Sequence, residues 1–166
     1  MTRFEDLPDL LLAPLEGKGD EAWFHTPEGK WSPAQVVDHV AGALELSARG
    51  FQARAEKPPM ARRPRTVRQR FFLVLVFGTG LFPRGRRAPD GTVPAERPDR
   101  AATEQRLRAA VAVFLGLEQR LARRAHDLYL KHPVFGDLNL GEWMTFHVRH
   151  AEHHAKQVRA RIPPPA

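Results

Sequence analysis

The sequence predicts an all-α fold: a four-helix bundle with one long elaborated loop between the second and third main helices, in a single domain over residues 1–166. Three observations predict it. Two stretches open with helix-capping boxes and continue with apolar residues at three- and four-residue spacing. A third stretch carries an apolar stripe at the same spacing. No segment shows the alternation of apolar and polar residues that marks a half-buried strand. Helices patterned this way bury their stripes against one another as a bundle.

The first helix is the least marked. It falls within Phe4–Glu16, where Pro8 and Pro14 limit its extent. The second is the best marked. In "WSPAQVVDHVAGALELSARG", Ser32 is the N-cap, Pro33 takes the first helical position and Gln35 the third, and Gly50 supplies a stop. Val36, His39, Val40, Ala43 and Leu46 share one face of it. Thr66–Phe77 reads as a helix with its apolar part buried. The stretch from Gly78 to Arg100 is rich in Gly, Pro and Arg and reads as a long loop. A loop of that length in a compact domain commonly serves as a lid or as one wall of a pocket. The third main helix covers about Ala101–His126, with Leu107, Val111, Phe114, Leu115, Leu117 and Leu121 as its stripe. "HPVFGDLN" (His132–Asn139) is then a connector. The fourth helix starts at Asn139, with Glu142 completing a capping box, and runs to about Ile162, where prolines end it.

Composition narrows the function classes. The 166 residues include no cysteine, which removes disulfides, zinc–thiolate sites and a cysteine nucleophile. The net charge is +7, from 26 basic and 19 acidic residues. The basic residues cluster in Ala61–Arg70 and Arg84–Arg87, but no helix-turn-helix or aromatic stacking pattern accompanies them, so nucleic acid is a disfavoured partner. A GC-rich coding bias gives the same excess of arginine. No signal peptide is legible at the N-terminus. The longest apolar run, "FFLVLVF" (Phe71–Phe77), is far short of the roughly 20 residues that span a bilayer. The expectation is a cytoplasmic protein without membrane insertion.

The chemistry is concentrated in "FHVRHAEHHAKQ" (Phe146–Gln157), which holds four of the eight histidines. At about 100° per residue, His150 and His154 lie within about 40° of each other on the face that also carries Trp143. Two histidines at i and i+4 can reach one metal ion from a single helix. His39, on the apolar face of the second helix, is the candidate for a third ligand. A lone His-x-x-x-His also occurs by chance, and a core histidine is often only hydrogen-bonded. Three imidazoles turned into one core would each need a partner, because an unpaired buried polar group costs on the order of a few kcal/mol. His147 lies one turn earlier on the same side, where it reads either as a packing residue or as a proton shuttle or substrate contact. His153 lies on the flank and reads as a bystander.

"KWSPAQVVDHV" together with "HPVFGDLNLGEWMTFHVRHAEHHAKQ" resembles the DinB/YfiT-like superfamily, and within it the DUF1569-type branch. The likeness runs from about Trp31 to Gln157. Gln35 and Asn139 replace the family's usual Glu and Thr or Ser, and both keep a capping function. The resemblance implies a four-helix bundle, often a homodimer, that binds divalent zinc or nickel through His39, His150 and His154. It also implies a metal-dependent enzyme acting on a small molecule, either a hydrolase or a transferase using a low-molecular-weight thiol as co-substrate. A non-catalytic metal-binding stress-response module is the alternative.

Overall fold

A computed structural model describes residues 2–83, 87–124 and 126–164. Among them are six α-helices: α1 (Leu7–Leu12), α2 (Asp20–Phe24), α3 (Pro33–Ala55), α4 (Val67–Val74), α5 (Arg100–Arg120) and α6 (Leu140–Arg161). An antiparallel hairpin, β1 (Tyr129–His132) and β2 (Gly136–Asn139), precedes α6. The expected all-α four-helix bundle is therefore corrected: the chain is 62% helical with six helices and a two-stranded sheet.

The caps explain where the long helices begin. The Ser32 hydroxyl accepts from the Gln35 amide while the Gln35 side chain accepts from the Ser32 amide. Asn139 and Glu142 repeat the arrangement at the head of α6. Thr66 and Gln69 do so for α4, a box the sequence reading passed over. Gly50 does not stop α3, which continues to Ala55. A Cβ on Gly50 would lie 2.7 Å from a methyl of Leu130, so the residue marks where the hairpin packs on α3 rather than where the helix ends.

The strands were not legible because four residues per strand give too short a run for alternation, and the second pairs Gly136 with His132. Gly136 stands at φ +76°, which lets the chain turn back between them. The third main helix ends at Arg120 rather than His126. The expected single loop between the second and third main helices contains α4, a π-helical turn (Leu75–Thr79) and a 3-10 turn (Asp90–Thr92). The apolar part of Thr66–Phe77 is buried only in part: Val67, Phe71 and Val74 are exposed, Phe72, Leu73 and Phe77 are half-buried against the core, and Val76 is enclosed. Of the Arg84–Arg87 cluster only Arg87 lies within the described residues.

α3 packs against α5 and α6, and α1 against both of these. The buried apolar side chains form one cluster. Phe114 is fully enclosed in it, against Phe4 (ring centroids 5.3 Å apart), Phe51 (6.3 Å) and His147 (5.3 Å). Phe114→Ala is expected to cost about 3–5 kcal/mol, read as a shift in urea midpoint at unchanged m.

The basic stretch Ala61–Arg70 has a structural use. Arg62 and Arg65 each donate to a Glu142 carboxylate oxygen, at 2.6 and 2.9 Å. Arg63 forms an ion pair with the buried Asp137, and Arg65 also donates to the carbonyls of Phe135 and Asp137. These arginines tie the segment before α4 to the hairpin and to the first turn of α6. Among the described residues no helix is long and apolar enough to cross a membrane.

Candidate metal centre

His39, His150 and His154 meet where α3 packs against α6. His39 Nε2 lies 3.3 Å from His150 Nε2, which lies 3.0 Å from His154 Nε2. All three ligand atoms fall within 4.8 Å of one another, a group that could hold a metal ion. The side chains are nearly buried, at 6%, 9% and 8% exposure.

The outer ring nitrogens fix the tautomers. His39 Nδ1 lies 2.7 Å from the Thr92 carbonyl, which can only accept, so Nδ1 carries the proton and Nε2 presents a lone pair. His154 Nδ1 donates to Gln157 Oε1 at 3.0 Å, so its Nε2 is also a lone pair. His150 stands between them. A proton on its Nε2 can serve only one neighbour and leaves Nδ1 as an acceptor, yet Nδ1 is buried without a partner. A proton on Nδ1 leaves three lone pairs facing one another. Taking up an extra proton is opposed as well: burial lowers the pKa of all three, and His154 is pushed down to about 3.

The residues fit a cation. Neutral imidazole is a ligand for zinc, nickel, copper and iron. Tetrahedral Zn–N bonds of 2.0–2.1 Å place neighbouring nitrogens about 3.3–3.4 Å apart, close to the two separations seen. Both outer histidines already have the carbonyl-type partners that orient metal-ligating imidazoles.

The sequence reading missed this supporting layer. Thr92 contributes a backbone carbonyl, which leaves no mark in sequence. Its turn is anchored through Asp38, whose carboxylate accepts from the Ala95 amide (3.0 Å) and from Arg106 (2.6 Å), while Gln35 donates to the carbonyls of Ala95 and Glu96. Asp38 does not touch His39; it holds the loop that does. Gln157, three residues beyond His154, was detectable by its position on the ligand face. Gln157→Met keeps the volume but removes the acceptor, and is expected to weaken zinc binding by roughly 10–100-fold in a competition titration with a chelator.

His153 lies outside the three-histidine group but next to it. Its Nε2 lies 2.9 Å from Gln157 Nε2, and its ring packs on Phe82 at 5.0 Å. His147 contributes to the inner wall of the same cavity but is only 1% exposed. Its Nε2 pairs with the Ser47 hydroxyl at 2.7 Å, its Nδ1 has no partner among the described residues, and burial pushes its pKa down to about 3. Ser47 sits on α3 and His147 on α6, so the pair cross-braces the two ligand-bearing helices.

The cluster opens onto a cavity of about 1450 Å³. Phe82, Pro89 and Thr92 from the long connection form one wall of it. A family model described as "Protein of unknown function (DUF1569)" matches residues 15–161. This chain belongs to the DUF1569 family. Comparison with curated proteins and with solved structures returns no match. The matched span of this DUF1569 chain includes every histidine of the cluster and both helices that carry them.

Proposed function

We propose that this DUF1569 protein is a metal-dependent enzyme of the DinB-like superfamily, acting on a small molecule, with His39, His150 and His154 as ligands to zinc or nickel. The observation that carries this reading is the proton deficit at the three converging Nε2 atoms beside a large cavity. Held there, a divalent cation supplies Lewis acidity and lowers the pKa of a ligating water or thiol.

The protein's own contribution is positional and dielectric. Three protein ligands leave room for a further one, as catalytic sites require. Thr92 and Gln157 orient two of the imidazoles. The rings of Trp31 and Phe82 lie against the cluster at 5.0 Å (to His39) and 5.8 Å (to His150), which limits water there. His147 is proposed as a positioning residue in place of a proton shuttle, since it is neutral, enclosed and engaged by Ser47. Hydrolysis and transfer from a low-molecular-weight thiol would use the same ligands and differ in the co-substrate. A cytoplasmic location and a homodimer are part of the same proposal, the homodimer resting on the family resemblance.

The test is a substrate panel run on metal-loaded and chelator-treated protein. One arm offers simple esters and amides; the other offers an electrophile with a low-molecular-weight thiol. Metal-dependent turnover in one arm, abolished by His150→Ala, is the expected result. Stoichiometric metal binding without turnover in either arm would replace the enzyme reading with a non-catalytic metal module.

A further inference from the structure

The wall of the cavity has a one-sided charge. Among the described residues Lys30, Arg87, Lys131 and Arg161 line it, and no Asp or Glu does. In a chain with 19 acidic residues that absence is selective. Lys131 stands across the hairpin from Asp137, and Lys30 and Arg87 lie on exposed connections. Arg161 differs from these three. It is half-buried at the end of α6 and donates through Nη1 to the Trp31 carbonyl at 2.9 Å. Among the described residues no carboxylate pairs with it, and its charge bears on His153 and His154.

Such a guanidinium carries five donors in a fixed fork and stays charged in proteins. A half-buried charge without a counter-ion is costly. Three neutral imidazoles bring no negative charge of their own, so a dication in the cluster would add to the imbalance. Most of the remaining lining is apolar, including Leu46, Phe82, Leu130 and Val134, with Ser47, Thr92 and Gln157 among the polar exceptions.

We infer that the cavity takes an amphipathic acid: an apolar body against these walls, and an oxyanion head seated between Arg161 and the histidine cluster. This deepens the enzyme reading by naming the substrate class, and it rests on that reading only for the claim that the acid is turned over. Carboxylates and phosphonates share the required chemistry.

The test is calorimetric titration with 4-phenylbutyrate, 4-phenylbutylphosphonate, 4-phenylbutan-1-ol and 4-phenylbutylamine, each on zinc-treated and on chelator-treated protein. At least one acid is expected to bind more tightly than the alcohol, and the amine most weakly. The tighter of the two acids identifies the head group. Arg161→Gln is expected to weaken that acid by roughly 10–100-fold while the alcohol stays within about twofold, and Arg161→Lys to recover part of the loss. Equal binding of acid and alcohol overturns the inference. So does an Arg161→Gln variant that weakens acid and alcohol alike, since Arg161 would then only brace Trp31. Acid preference in a protein that takes up no zinc sinks the metal reading and leaves this one standing; zinc uptake without acid preference does the reverse.

Discussion

Wild-type protein is expected to take up about one equivalent of zinc, and His39→Ala, His150→Ala and His154→Ala each to lose at least about 100-fold in affinity, more than outer-layer substitutions cost. The reason lies in the tautomers. Thr92 and Gln157 commit His39 and His154 to presenting Nε2 lone pairs, and His150 cannot satisfy both. At a free-zinc concentration 100-fold above Kd, linkage stabilises the wild type by about 2.7 kcal/mol, or roughly 5–10 °C in melting temperature for a chain of this size. Each alanine variant should gain no more than about 1–2 °C from the same zinc concentration. Elemental analysis and differential scanning calorimetry read both effects. A wild type that carries no metal and takes up none would remove the centre altogether.

Acidification of the metal-free protein is expected to have the second large effect. His147 and His154 are held near 3, and His39 and His150 are also lowered, burial being the first cause in each. In the unfolded chain all four titrate near 6.5. Above that pH neither state binds the protons and the histidines contribute no pH dependence. Below it the unfolded state takes up protons that the folded state refuses, so stability falls as pH falls from about 6.5 towards about 3. His147 and His154 each contribute a slope of about 1.4 kcal/mol per pH unit, and His39 and His150 act in the same direction. His147 and His154 alone then remove about 4 kcal/mol between pH 7.5 and pH 5, a large share of a typical 5–15 kcal/mol. Urea midpoints at pH 7.5, 6 and 5 measure it, above the range where carboxylates protonate. His147→Met should flatten the slope by about one histidine's worth. Ser47 keeps the Ala43 carbonyl as a partner at 2.8 Å in that variant. A stability flat across that range would mean the imidazoles are hydrated rather than enclosed.

What was legible in the sequence follows from which groups carry the information. Ser32–Gln35 and Asn139–Glu142 are side-chain signals three residues apart, so the starts of α3 and α6 could be read directly. The i, i+4 spacing of His150 and His154 is likewise local, and one helical turn brings them together. His39 comes into contact with them only through the packing of α3 on α6, which no local pattern encodes. The hairpin escaped because its strands are too short to show alternation, and Leu130 seats against Gly50, a contact between elements far apart in sequence. Gly50 looked like punctuation and is a packing surface. The loop's contribution was hidden because Thr92 acts through its backbone.

His39 and His150 are 111 residues apart. A chain emerging from the ribosome at about 5–20 residues per second exposes His39 about 6–23 seconds before His154, the last of its partners. During that interval a metal ion can find single imidazoles but no chelate. In the proposed centre, capture would therefore coincide with the packing of α6 on α3. Truncation before residue 150 yields a product that cannot carry the metal.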